Sequence, residues 1–166
     1  VGTFCSPRDP AVRQLEPEVR MRKMALADLP AVMAIEHQAF SNPWSMEMVK
    51  KELTQDWSTV LLVEESSAAG WQIRSFAIFW LVADEVHILN VATDGAVRRR
   101  GFGRRVMEEV LATGKTQNCR LAALEVRRSN LAAQALYASQ GFRVVGLRPA
   151  YYQDNREDAV IMIRDF

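Results

Sequence analysis

Two rhythms of apolar residues alternate along the chain. Glu18 to Met24 alternates polar and apolar positions and predicts a first strand. From residue 29 the period lengthens. Leu29, Val32, Met33, Ile35 and Glu36 stand at helical spacing, with Asp28 placed as cap and the helix running to about Phe40. Ser41-Asn42-Pro43 breaks it, and Ser45 can cap a second helix through about Leu53. Residues 59–64 and 73–83 read as two strands of a hairpin joined by the Ser66–Gly70 turn. The second half predicts a strand over Val86–Thr93, a helix from Gly101 to about Thr113 and a strand over Leu121–Val126. A helix from Ser129 to about Ser139 follows, stopped by Gly141, then two strands near 143–148 and 158–164. The β-α-β-α order in the middle of this half predicts a locally parallel strand pair. The chain therefore reads as α/β with a mixed sheet. One domain is expected over residues 18–166, after a loose, Pro- and charge-rich arm over residues 1–17.

Composition narrows the picture. The 166 residues suit one sizeable core, and 49% hydrophobic with 25% charged residues is a soluble globular balance. A net charge of +1 gives no global field for nucleic acid, so no DNA partner is expected. The longest purely apolar run, Phe76 to Ala83, is too short to span a bilayer, and the first residues contain no apolar core of a secretory signal. Cys5 and Cys119 form neither a metal spacing nor a disulfide framework. The expectation is a cytoplasmic protein without metal or membrane contact.

The sharpest motif is Arg98-Arg99-Arg100-Gly101-Phe102-Gly103-Arg104, between a predicted strand and a predicted helix. The first N–H groups of a helix lack internal partners and lie at the positive end of its dipole. Gly101 and Gly103 let the backbone approach a pyrophosphate, and arginines add charge-assisted bonds. The Gly-Lys-Ser/Thr end of a Walker loop is missing, as is the three-glycine Rossmann fingerprint. By itself the run also fits a solvated basic face or an RNA contact.

Several stretches together resemble the GNAT superfamily, in its branch of bacterial ribosomal-protein-alanine N-acetyltransferases. R-x-x-G-x-G at the strand–helix junction resembles the acetyl-CoA pyrophosphate loop. His87–Ala92, Leu124–Asn130 and Ala135–Phe142 resemble that branch, as do Pro43-Trp44-Ser45 and Tyr151-Tyr152 with Arg156–Ala159 and Met162. The likeness covers roughly residues 19 to 164. It implies an acyl-CoA N-acyltransferase fold: a mostly antiparallel mixed sheet, a splayed central parallel pair and flanking helices. It also implies acetyl-CoA as cosubstrate and the N-terminal alanine of a small-subunit ribosomal protein as acceptor. The backbone of Val91, Ala92 and Thr93 would run along the acetyl-pantetheine arm, with an N–H near Val91 as oxyanion donor. Arg99, Arg100, Gly101, Phe102, Gly103 and Arg104 would hold the pyrophosphate. One departure stands out: the family's usual Asp-Pro after this strand is Asp94-Gly95, expected to loosen the turn.

Acetyl transfer to an amine needs a base, a donor to the thioester oxygen and an acid for the leaving thiolate. Glu125 is the candidate base. It stands in an apolar strand, sharing a face with Leu121 and Ala123, where a carboxylate needs a partner or a cleft. A structural ion pair, for example with Arg127, is the alternative. Tyr137 is the candidate acid, two helical turns after Asn130 on one stripe with the small Ala133 between them. Asn130 can then bond the cofactor. An ordinary half-buried tyrosine is the alternative. The resemblance assigns Glu125 and Tyr137 the proton-acceptor and proton-donor roles. Glu85 and His87 are other candidates for the base, and Cys119 has no base beside it in sequence, which favours direct attack. Trp44, Tyr151 and Tyr152 are candidate walls of a peptide groove, though the last hairpin also reads as a polar tip. At pH 7 an α-amine with a pKa of about 7.8 is roughly 10–15% neutral, against less than ~0.1% for lysine, so a modest base suffices. The rival readings are a GNAT enzyme for a small amine or a protein lysine, and a non-catalytic RNA-binding module.

Overall fold

The computed structural model describes residues 16–166. Most of the arm expected over residues 1–17 lies outside the described residues. Seven strands form one sheet: β1 (Val19–Lys23), β2 (Ser58–Ser67), β3 (Gly70–Val82), β4 (Glu85–Thr93), β5 (Leu121–Arg127), β6 (Arg143–Arg148) and β7 (Ala159–Asp165). Their order across the sheet is β1-β2-β3-β4-β5-β7-β6. Every neighbouring pair is antiparallel except β4–β5, the parallel pair expected from the β-α-β order. Four helices flank the sheet: α1 (Leu29–Ala39), α2 (Met46–Glu52), α3 (Phe102–Thr116) and α4 (Leu131–Ser139). Among the described residues, no helix is long and apolar enough to cross a membrane.

The helix ends show where sequence signals act. Ser45 caps α2 by accepting the Met48 N–H at 3.2 Å. Asp28 does not cap α1 with its side chain. Its carboxylate instead takes two bonds from Arg22 and one from the Ala25 N–H. Pro30 in the first turn of α1 lacks an N–H, so one orphan donor fewer needs a partner. α4 starts at Leu131 rather than Ser129, because Asn130 is its cap and accepts the Ala133 N–H at 3.2 Å.

Two cores lie on opposite faces of the sheet. On one, α3 buries Phe102, Val106, Met107, Val110 and Leu111 against Val86, Ile88, Ala122, Leu124 and Val126. Each wholly buried aliphatic there contributes about 1.5–3 kcal/mol of transfer free energy. On the other, Leu29, Val32, Met33 and Ile35 of α1 pack with Val49 of α2 onto Leu62, Phe76, Ile78 and Ala92. β4 serves both cores. Ile78 pairs with Asn90 but Phe79 pairs with Ile88, which leaves Leu89 as an extra residue. This bulge reverses the alternation: Val86 and Ile88 face α3, whereas Ala92 faces α1.

α3 packs closely enough to leave no room for a methyl group at Gly114. A Cβ there would lie 2.6 Å from both Val86 Cγ2 and Phe166 Cζ. Alanine in a helix interior normally gains about 1 kcal/mol over glycine, but the overlap with a core valine outweighs that gain. Gly114→Ala is expected to lower stability by about 1–3 kcal/mol, read as a lower midpoint in urea or thermal unfolding.

Candidate active site

The site grows from the point where β4 and β5 part. Their pairing runs from Glu85↔Leu121 to Ile88↔Leu124 and stops. β4 continues to Thr93 with β3 as its partner, and β5 continues to Arg127 with β7 as its partner. The separation begins at the Leu89 bulge, as expected where an extra residue bends one strand. Beyond it, the β4 edge that would face β5 has no strand partner among the described residues.

A cavity of about 370 Å³ fills this opening. It is lined from both faces of the sheet. Tyr137 of α4 belongs to the core shared with α3. Glu125 alternates with Leu124 and Val126, which face α3, so it points to the other side. That side carries the α1–α2 connection, from which Phe40, Asn42, Pro43 and Trp44 line the same cavity. Asn130, Val91 and Tyr152 complete the wall. Glu125 and Tyr137 thus approach one space from opposite faces, through a split in the sheet.

Tyr137 is buried, which pushes its phenol up to about 12 and keeps it protonated at neutral pH. Glu125 is not paired with Arg127, the partner its sequence position suggests. Arg148 holds it instead, with Nε 2.8 Å from Oε1. Hydrogen bonding to Glu125 also pushes the Tyr151 phenol up. Arg127 is engaged elsewhere: it binds Asp154 at 2.9 Å and Glu157 at 3.4 Å, and its guanidinium lies 3.9 Å from the Tyr152 ring centroid. Glu157 accepts the Ser129 N–H at 2.6 Å, and that side of its environment brings its carboxyl down to about 2. These contacts clamp the β6–β7 connection, with its edge-on Tyr151–Tyr152 pair, beside the cavity.

Glu85 and His87 lie at the paired end of the strands, opposite Leu121 and Ala123, and pair with each other at 3.1 Å. Neither lines the cavity. Cys119 is buried, and burial pushes its thiol up, away from the thiolate a nucleophile needs.

The glycine-rich loop follows β4. Gly101 precedes α3 with φ of 85°, a left-handed conformation suited to glycine, and no side chain caps the helix. The first N–H groups of α3 therefore remain open. A Cβ on Gly103 would come within 3.3 Å of Thr93 Oγ1 and 3.4 Å of Leu136 Cδ2, so a side chain there would crowd the junction. The loop residues divide their work. Phe102 sinks its ring into the α3 core and leaves only backbone for a ligand. Arg104 is half exposed and reaches Ser139 Oγ at 3.4 Å. Arg99 has φ of 66°. The Arg100 guanidinium is held 2.6 Å from the buried Glu65, which also binds Arg74 at 3.0 Å; Arg74 in turn binds Asp94. Arg100 thus braces the loop from behind. Asp94-Gly95 is also tied down rather than loose: Gly95 donates its N–H to Gln38 Oε1 at 3.0 Å, a bond proline could not make.

The Glu65 brace has a pH signature. Burial alone would push its carboxyl up, but hydrogen bonds and charge from Arg100 and Arg74 outweigh this and hold it below its usual range. A depressed folded value means its stabilisation is complete above the unfolded value of about 4.3 and is lost as pH falls through the folded value. Glu65→Gln is expected to cost about 3 kcal/mol near neutral pH. The difference from wild type should shrink steadily in unfolding titrations stepped down toward about pH 3.

Two site residues escape the sequence reading. Glu36 of α1 is wholly buried; its Oε1 accepts the Trp44 N–H at 2.8 Å and its Oε2 accepts from Asn90 Nδ2 at 2.9 Å. Burial pushes the Glu36 carboxyl up, against the pull of these two donors. Asn90 Oδ1 is buried without a partner among the described residues. Both residues line the cavity. The signal was present: each is a polar residue in an apolar run, the same anomaly that marks Glu125.

Residues 29–142 match the model of the acetyltransferase (GNAT) family. The ribosomal protein bS18-alanine N-acetyltransferase of Escherichia coli (strain K12) is 36% identical over 137 residues, covering 81% of this chain and 89% of its own length. Its counterpart in Salmonella typhimurium (strain LT2) is 36% identical over 141 residues, 84% of this chain and 92% of that protein. Among solved structures, the ribosomal-protein-S18-alanine N-acetyltransferase from Escherichia coli superposes with a TM-score of 0.79 at 32% identity, covering 89% of this chain and 94% of that one. A match of this length, backed by relatives at 36% identity, settles the family: the chain belongs to the GNAT acetyltransferases.

Proposed function

We propose that this protein transfers the acetyl group of acetyl-CoA to the N-terminal α-amine of a small-subunit ribosomal protein, with alanine as the acceptor residue, in the cytoplasm. The observation that carries this reading is the cavity through the split sheet, where a carboxylate and a protonated phenol meet beside an open strand edge. The names of the relatives at 36% identity support the acceptor.

Acetyl-CoA supplies an activated acetyl thioester. The open N–H groups at the start of α3, with Arg99 and Arg104, suit its diphosphate, and the space kept by Gly103 fits a backbone-lined cradle. The free edge of Val91 to Thr93 offers backbone groups to its amide-bearing arm, and an N–H near Val91 can donate to the developing oxyanion. Asn130 keeps its side-chain N–H groups for the ligand while its oxygen caps α4. Glu125 takes a proton from the acceptor ammonium, directly or through one water. The neutral amine attacks the thioester carbonyl; as the carbon–sulfur bond breaks, Tyr137 gives its proton to the departing sulfur, and the surplus proton shed by the nitrogen restores the phenol by way of water. Trp44 and Tyr152 flank the acceptor, with Tyr151 beside them on the same connection as Tyr152.

The test is a hexapeptide beginning with alanine, incubated with acetyl-CoA and the purified chain. Thiol release and a gain of one acetyl group at the peptide's N-terminus are expected. Acetylation confined to a polyamine or to the lysine of an N-blocked peptide would overturn the acceptor assignment.

A further inference from the structure

We infer that Arg148 is a displaceable counter-ion, a built-in stand-in for the acceptor's ammonium that occupies Glu125 until the acceptor arrives. The inference rests on the proposed role of Glu125 as base.

The geometry is that of an acceptor analogue. Arg148 ends β6, the edge strand of the sheet, and its Nε lies 2.8 Å from Glu125 Oε1. That is the distance of a charge-assisted bond between a carboxylate and a cationic nitrogen. An acceptor ammonium giving its proton directly to Glu125 comes equally close and meets the guanidinium in its way, and one acting through a water needs the same oxygen for that water. The neighbouring arginine shows what a permanent structural pair looks like here. Arg127 is 21% exposed, binds Asp154 and Glu157, and stacks on Tyr152. Arg148 is 56% exposed, and Glu125 is its one ion-pair partner among the described residues. Its other neighbour, the Tyr151 ring, lies 5.6 Å away. An ion pair this open is weak, so an incoming ammonium can replace it while the long side chain swings into water. In the meantime the guanidinium holds the Glu125 carboxylate in one place.

The consequence is competition. Every acceptor amine must displace Arg148, so removing the charge should tighten acceptor binding, the reverse of what loss of a structural contact would do. Arg148→Met keeps the aliphatic reach without charge. It is expected to lower the KM for the alanine hexapeptide about fivefold, and the KM for alaninamide by the same factor, with the KM for acetyl-CoA unchanged. Arg148→Lys should behave like wild type. Methylguanidine should become a competitive inhibitor against peptide in Arg148→Met and remain without effect in wild type. Peptide dissociation constants measured with coenzyme A present complete the cycle: in a Glu125→Gln background, Arg148→Met should give no further tightening. A KM that rises or stays the same in Arg148→Met, or a gain that persists without the Glu125 carboxylate, overturns the inference. Turnover of Glu125→Gln itself reports separately on whether Glu125 is the base.

Discussion

Glu125→Gln is expected to lower kcat by roughly 10²–10⁴-fold while acetyl-CoA binding is largely kept. Glutamine fills the same volume and can still accept from Tyr151, but it cannot take a proton. The proposed diphosphate cradle sits at the start of α3, on other elements, so cofactor affinity has no reason to follow. Tyr137→Phe is the companion test. It removes one hydroxyl and keeps the ring, which packs 6.1 Å from the Phe142 ring. If the phenol protonates the leaving sulfur, kcat should again fall by roughly 10²-fold or more. The pH profile adds a sign check. A phenol held up to about 12 stays a donor far into the basic range, so Tyr137 should cause no decline in wild-type activity below about pH 10. Steady-state kinetics and direct acetyl-CoA binding check both variants; wild-type turnover in either would remove that residue from the chemistry.

The second large effect is expected at Glu36. Glu36→Ala strands the partly buried Trp44 N–H and the buried Asn90 amide at once, with an expected loss of about 3 kcal/mol. It also frees the connection that carries Trp44, so the peptide KM should rise. Glu36→Gln should be far milder, within about 1 kcal/mol of wild type. Its oxygen can still accept from Trp44. Its amide would face the Asn90 Nδ2 donor, but Asn90 can turn its amide over and present Oδ1, the oxygen now without a partner. Chemical denaturation of the two variants tests this ranking. Equal losses would mean that the volume of the side chain, rather than its two accepted bonds, is what matters.

Much of the architecture was legible in the order of the rhythms. The parallel pair follows from the β-α-β order, and the tight junction into α3 follows from glycines placed between a strand and a helix. Ser45 shows its capping role directly, because a cap acts within one turn. What stayed hidden is what depends on partners distant in sequence. Asp28 looks like a cap, but Arg22 and Ala25 claim its carboxylate. Arg100 stands in the glycine-rich loop, and nothing near it in sequence shows that its guanidinium meets Glu65, 35 residues earlier. Arg127 is two residues from Glu125 on the same strand face, yet Arg148 from the edge strand makes the pair. For the catalytic candidates, periodicity placed Glu125 on the correct face of β5. It could not show that a gap between strands lets Tyr137 reach the same space from behind.

That gap has a bearing on which mutations β4 can absorb. Because Leu89 is supernumerary, the strand obeys even-numbered parity for one hydrophobic layer before it and for the opposite layer after it. Point substitutions at Leu89 leave this bookkeeping intact. Removing the residue would not: Ile88 and Asn90 would become neighbours in plain alternation, each still on its present face, and β4 would lose the bulge at which it leaves β5. The length of this stretch, more than the identity of its amino acids, is what keeps the passage between the two strands open.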